Sequence, residues 1–228
     1  MNLLALDTSS IACSVALGRG EDIVERHELA PRQHTMLLMP MIEDALRQAG
    51  LQPADLDALV LGNGPGSFIG LRLGASVAQG LCYGAGLELV PVPSPAAVAA
   101  EAFCISEAEC VVVAQDAHMS EVYLAAYRRG EDDLPVAHGE PALYPAGAAE
   151  PLPSGWLPGS AVCHAAGEGW RRYPGLLRRN ETRLAGFVEV CWPRARYLIE
   201  LGRHALRAGG AIDPRDLVPA YVRDRVTA

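Results

Sequence analysis

The apolar positions of this chain fall into short runs broken by turn residues, and their period changes along the sequence. Asn2–Leu6 is apolar and ends in the turn cluster Asp7-Thr8-Ser9-Ser10. Cys13–Leu17 and Ile23–Leu29 read as strands separated by a tight turn at Gly18–Asp22, so the chain is expected to open with three strands joined by hairpins. At Thr35–Gln48 the period becomes helical. Leu38, Met41, Ile42, Ala45 and Ala49 share one face, and Gly50 ends the helix. Pro40 inside it should kink the helix or leave one carbonyl unpaired. Leu56–Leu61 reads as a buried strand, Gly70–Tyr83 as a second helix and Glu88–Val92 as another strand. Ser94 then caps a third helix running to about Phe103, with Pro95 at its first position.

The opening is echoed further on: an apolar run at Val111–Ala114, Asp116, then a strand-like Val122–Tyr127. A weak internal duplication follows from this, with one α/β domain over residues 1–104 and a smaller one over 105–228. Residues 130–160, rich in Pro, Gly and Ala, read mostly as loop with short strands. Cys163–Ala166 reads as a strand, Pro193–Ala208 as a helix and Pro214–Arg223 as an extended tail.

Composition narrows the chemistry. Half of the 228 residues are apolar, and the net charge of −8 argues against this chain gripping a phosphate backbone by itself. All 19 cationic side chains are arginine, so a P-loop lysine, a Schiff base and a Ser–Lys dyad are excluded. The six cysteines form no C-x-x-C pair and several lie in apolar runs, as buried structural thiols do. No apolar stretch approaches the ~20 residues that span a bilayer. No signal-peptide pattern precedes Asn2, and the expectation is a soluble protein of a reducing cytoplasm with no membrane contact. No two histidines lie three, four or five residues apart, so a helical two-histidine metal pair is not on offer.

The segment Gly62–Arg72 carries the most specific signal. A glycine-rich loop between a strand and a helix suggests phosphate binding. However, its order is G-x-G-P-G and no lysine follows, so it fits neither a P-loop nor a dinucleotide fingerprint. The alternative is a loop whose glycines permit close packing. In the helix that follows, Gly70, Gly74 and Ala78 form a small-residue stripe that would let a helix or the chain's own sheet approach. Met36-Leu37-Leu38-Met39 points apolar groups all round the first helix, which fits either core packing or burial on a second face. Arg72 opposes the dipole of its helix and is expected to meet an acid of the first helix or of a partner. Asp7, Thr8 and Ser9 either satisfy a tight turn or, with Asp116, face a nucleotide. His34 reads as a capping or surface residue.

Two strand-hairpin units, each opening on an aspartate, resemble the actin-like, sugar-kinase and heat-shock-ATPase (ASKHA) fold. Leu4-Ala5-Leu6-Asp7-Thr8-Ser9, Arg32-Gln33-His34-Thr35, Gly62–Arg72, Ala78-Gln79-Gly80-Leu81, Gln115-Asp116-Ala117 with Glu121-Val122-Tyr123, and Pro219-x-Tyr221-x-Arg223 are similar to motifs of the TsaB/TsaD family, on its TsaB (YeaZ) side. The resemblance is dense to residue 127 and thin from 130 to 215. The pattern departs at Ile69, where a threonine is common, and at His118 and Ser120, where arginine and glycine are common. TsaD carries two metal-binding histidines at positions held here by Ser94 and Val98. The resemblance therefore implies a non-catalytic subunit with no metal or cofactor of its own, which also leaves a metalloprotease reading without ligands. It implies binding to TsaD, recruitment of the ATPase TsaE and contact with tRNA only through the complex. That complex transfers threonylcarbamoyl from threonylcarbamoyl-AMP to N6 of adenosine 37 in ANN-decoding tRNAs. The interface is expected on the first two helices, through His34, Leu37, Leu38, Met41, Gly70, Arg72, Gly74 and Ala78, and the same surface should form a homodimer when the chain is alone. The rival expectation is an ATP-binding or hydrolysing enzyme of the same fold, with Asp7 and Asp116 holding Mg²⁺.

Overall fold

The computed structural model describes residues 1–130, 132–157 and 162–222. Arg223 of the C-terminal motif lies outside the described residues. The chain forms two compact units. Residues Met1–Ala97 and Pro193–Ala220 make the first, and Val98–Trp192 with Tyr221 and Val222 belong to the second.

In the first unit, β1 (Asn2–Asp7), β2 (Ala12–Arg19) and β3 (Asp22–Leu29) form an antiparallel meander. β4 (Ala58–Gly62) adds parallel to β1 and β5 (Glu88–Val92) parallel to β4, giving the order β3-β2-β1-β4-β5. The parallel additions each need a crossover, supplied by α1 (His34–Ala49) and α2 (Phe68–Ala85). Both helices cover one face of the sheet. Leu38, Met41, Ile42 and Ala45 of α1, and Ala75, Ala78 and Cys82 of α2, share a core with Leu4, Leu6, Val15, Leu17, Leu59 and Leu61. α1 stays continuous through Pro40; the carbonyl that loses its donor belongs to exposed Met36, where water can reach it. α6 (Ala195–Arg207) covers the opposite face. A Cβ on Gly18 or Gly202 would meet Ile199 at 2.7 Å or Val60 at 2.3 Å, so the two glycines set the helix-to-sheet distance.

The return of α6 corrects the expected division at residue 104. The helix is amphipathic, and its apolar side is spent on β1, β2, β4 and β5, so residues 193–220 belong with the first unit. The boundary between units falls inside α3 (Ser94–Ile105).

The second unit repeats the topology. β6 (Cys110–Asp116), β7 (Glu121–Arg129) and β8 (Pro135–Pro145) form the meander, and β9 (Cys163–Ala166) and β10 (Leu184–Phe187) add in parallel, in the order β8-β7-β6-β9-β10. The helices are reduced to α4 (Glu168–Arg172) and α5 (Pro174–Arg179). Trp170 is fully buried and donates from Nε1 to the Val112 carbonyl at 2.9 Å. This is the duplicated ASKHA-like fold with its second copy cut down. Cys110 and Cys163, in a chain read as belonging to a reducing compartment, are paired across β6 and β9 in a disulfide with a Cα–Cα distance of 4.4 Å.

Candidate functional site

The glycine-rich segment turns out to be a ladder resting on the first turn of its own unit. Gly62, Gly66, Gly70 and Gly74 are spaced four residues apart, from the end of β4 into α2. A Cβ on Gly62 would lie 2.0 Å from Asp7 Oδ2, on Gly66 2.2 Å from the Ser9 carbonyl oxygen, on Gly70 1.9 Å from the Thr8 carbonyl oxygen and on Gly74 2.6 Å from Thr8 Oγ1. Each contact is with Asp7, Thr8 or Ser9, so these glycines let α2 press onto the end of β1. The turn answers with hydrogen bonds. The Thr8 hydroxyl donates to the Gly70 carbonyl at 2.8 Å, and the Ser9 carbonyl accepts from Ser67 N–H at 2.6 Å.

Several backbone donors of the loop are committed within the protein. Asn63 N–H donates to the Val92 carbonyl (2.7 Å), Gly64 N–H to Ser94 Oγ (3.1 Å), Gly70 N–H to the N-cap Ser67 Oγ (3.3 Å) and Leu71 N–H to the Ser67 carbonyl (2.8 Å). These bonds and the close glycine contacts make the loop a packing device that seats α2 on the first turn. Ser94 is buried, its hydroxyl oxygen accepting from Gly64 N–H, and Val98 is buried apolar surface. Among the described residues, no group of three or more His, Cys, Asp or Glu side chains could hold a metal ion.

Asp7 is fully buried. Its Oδ1 accepts from Ser9 N–H (2.9 Å) and the Ser9 hydroxyl (2.8 Å), while Oδ2 has no hydrogen bond. Burial pushes its carboxyl up to about 6, against a smaller pull downward from Ser94 and Ser9. In the second unit Asp116 is well supplied. It accepts from the Tyr173 hydroxyl (2.9 Å) and His118 N–H (3.1 Å), and it pairs with Arg172 Nε at 3.1 Å and contacts His118 Nδ1 at 3.2 Å. Loss of the common arginine at position 118 does not end charge pairing at this turn, because α4 supplies Arg172. Asp116 N–H donates to Glu168, whose other carboxylate oxygen is buried without a hydrogen bond; burial pushes that carboxyl up to about 7.

The turn after Asp116 is strained. His118, Met119 and Ser120 have φ of 60°, 52° and 59°, a left-handed run that side chains with a Cβ rarely adopt. Ser120 stands where the resemblance expects glycine, and Ser120→Gly is expected to stabilise the second unit by about 1 kcal/mol. Urea denaturation followed by tryptophan fluorescence checks this; an unchanged or lower midpoint would show the turn to be relaxed.

The structure sorts the expected interface residues into two groups. Leu38, Met41, Gly70, Gly74 and Ala78 are buried in the unit's own core, so the small-residue stripe faces β1 and not a second helix. Leu37 is half-buried against the same core. His34 begins α1 and hydrogen-bonds through Nε2 to the Ala12 carbonyl (3.2 Å), tying the helix to β2 in its Nε2–H tautomer. Arg72 is exposed, and its guanidinium stacks 3.7 Å from the centre of the Phe68 ring one turn back.

The outward faces of α1 and α2 carry a different set. Ile69 is 75% exposed, Met36 74%, Tyr83 62% and Met39 40%. Ser76 and Gly80 lie between Ile69 and Tyr83 on the same side of α2. Arg72 is the single charged residue in this 18-residue helix. These residues stood in the sequence as the apolar positions left over once the core stripe was assigned.

Comparison with known proteins gives a consistent answer. The sequence profile of a family described as TsaD: tRNA N6-adenosine threonylcarbamoyltransferase matches residues 26–162. The tRNA threonylcarbamoyladenosine biosynthesis protein TsaB of Haemophilus influenzae is 37% identical over 100% of this chain and 95% of its own length. The chain belongs to the TsaB family. Escherichia coli TsaB is 35% identical, covering 99% of this chain and 96% of its own. The solved structure of YeaZ from Pseudomonas aeruginosa aligns with a TM-score of 0.87 at 33% identity, over 96% of this chain and 99% of that one. A second structure, described as an uncharacterized protein with similarity to peptidase YEAZ from the same organism, gives a TM-score of 0.86. This TsaB-family chain thus pairs a glycine ladder packed on its first turn with exposed apolar side chains on α1 and α2.

Proposed function

We propose that this chain acts in tRNA threonylcarbamoyladenosine biosynthesis as a non-catalytic subunit. It docks through the outer faces of α1 and α2 onto a TsaD-type threonylcarbamoyltransferase, with TsaE as the ATPase recruited to the pair. One observation carries this reading: α2 is a surface helix whose outward side holds Ile69, Ser76, Gly80 and Tyr83 with a single charge, beside exposed Met36 and Met39 on α1. A helix so poor in polar groups leaves apolar area in water unless a partner covers it. Methionines suit such a surface because their flexible thioethers adapt to the opposing side chains. The names of the full-length relatives support the pathway, and the match to the TsaD profile supports a paralogous partner that presents related helices. In the absence of that partner, the same face pairs two copies about a two-fold axis. The transfer of threonylcarbamoyl to adenosine 37, and the tRNA contacts it needs, then belong to the partner, in keeping with an acidic chain whose glycine loop is filled from within. The setting is the cytoplasm.

The test is titration of the chain into TsaD of the same organism by calorimetry. Ile69→Arg places a second cation beside Arg72 at the middle of the face. It is expected to weaken binding about 100-fold, the size of a hot-spot loss, while leaving the melting temperature unchanged because the side chain is exposed. Failure of the wild-type chain to bind TsaD would sink the proposal, as would full affinity of the variant.

A further inference from the structure

The segment after α6 returns along α2 as a strap. Gln79 Nε2 donates to the Pro214 carbonyl (2.8 Å), Leu217 is buried in the core shared with α2, and the segment ends over the glycine loop. There Asn63 makes two hydrogen bonds with it. Asn63 Nδ2 donates to the Val218 carbonyl (3.0 Å), and Asn63 Oδ1 accepts from Ala220 N–H (3.2 Å). One carboxamide thus satisfies a C=O and an N–H two residues apart, as a neighbouring strand would. Gly64, at φ 67°, allows the approach: a Cβ there would stand 3.1 Å from the Ala220 carbonyl oxygen and 3.1 Å from Leu71. The two bonds fix the register of the strap. Leu217 goes inward, and Val218 is left 70% exposed.

We infer that Asn63 is a positioning residue. It latches the strap Pro214–Ala220 along α2 so that the strap forms one edge of the docking face and Val218 presents an apolar contact to the TsaD-type subunit. This inference rests on the docking reading above. Its physical basis is that residues 218–220 have no ladder of their own, so their order depends on what the loop offers them. A shift of the strap by one residue would exchange the inward and outward side chains. The glycine segment thereby acquires a second use: its glycines seat α2 on β1, and the asparagine between two of them holds the chain's own C-terminal segment.

Hydrogen exchange of the full chain and calorimetry with TsaD test this together. Asn63→Ala removes both bonds, and Asn63→Asp removes the donor while keeping the acceptor. Exchange at the Ala220 amide is expected to rise about tenfold or more in Asn63→Ala with β1 amides unchanged, and affinity for TsaD to fall about tenfold. Val218→Asp should lower affinity to a similar extent while leaving Ala220 exchange as in the wild type. Unchanged Ala220 exchange in Asn63→Ala would overturn the latch. Faster exchange with full affinity, or full affinity of Val218→Asp, would overturn the strap's part in docking while the docking reading itself stands. If the wild-type chain does not bind TsaD, the docking reading fails and the strap's part in it fails too, whereas the exchange arm still decides the latch.

Discussion

Gly70→Ala is expected to destabilise the first unit by about 3 kcal/mol or more, a loss of about 10 °C in melting temperature for a unit of this size. The added methyl would stand 1.9 Å from the Thr8 carbonyl oxygen, and neither side can yield cheaply. Thr8 is fixed on one side by the end of β1. Its hydroxyl is hydrogen-bonded to Gly70's own carbonyl at 2.8 Å, so moving α2 away also breaks that bond. The helix cannot slide along its axis either, because Gly66 and Gly74 meet Ser9 and Thr8 one turn to each side. Gly80→Ala in the same helix provides the contrast. Nothing lies within 4 Å of a Cβ there, and replacing a helical glycine by alanine gains roughly 0.5–1 kcal/mol. Thermal melts of the two variants should therefore move in opposite directions. Equal, small shifts would show that α2 is not seated on the Asp7–Ser9 turn.

Much of this arrangement was legible in the residues. The strands Glu88–Val92 and Cys163–Ala166 stand where the apolar runs place them, because turn residues bound them on both sides. The repeat of strand, aspartate and strand predicted the duplicated topology. What was lost is short or interrupted. α4 and α5 have five and six residues, too few to display a helical period, and β10 has four around a glycine. β8 holds Pro135, Pro141 and Pro145 and so reads as loop, yet it is an edge strand, where a missing N–H can face outward without breaking a ladder. The outer side of α1 was harder to read. The period that marks Leu38 and Met41 as one face marks them as the core face, which leaves Met36 and Met39 on the outer side of α1. The spacing of Gly62, Gly66, Gly70 and Gly74 was visible as well. What could not be seen is which surface the glycines meet, since that depends on β1 and β4 being neighbours in the sheet. Likewise, an amphipathic pattern at Ala195–Arg207 announces a helix without saying which sheet it covers.

Asp7→Asn is expected to raise the melting temperature at pH 7.5 by about 10 °C and to leave it nearly unchanged at pH 4. The buried carboxyl has its proton affinity raised from the ordinary 3.8 to about 6. The folded state then binds the proton more tightly than the unfolded chain. Asp7 therefore contributes stability that is complete below about pH 4 and lost as pH rises through about 6, in total about 3 kcal/mol. At neutral pH the carboxylate is ionised while fully buried, and it stands as a cost to the fold. Asparagine keeps the oxygen that accepts from Ser9 and replaces the unpaired oxygen by a neutral N–H₂ group, so the pH-dependent part of the cost disappears. Glu168 adds a similar slope in the second unit between about pH 4.5 and 7, and it is common to both proteins, so the difference between wild type and variant isolates Asp7. Calorimetric melts at half-unit steps from pH 4 to 7.5 check this. A constant difference between the two proteins across that range would show that Asp7 stays ionised throughout. A variant that is more stable and still binds TsaD would show that the carboxylate serves neither docking nor folding at neutral pH.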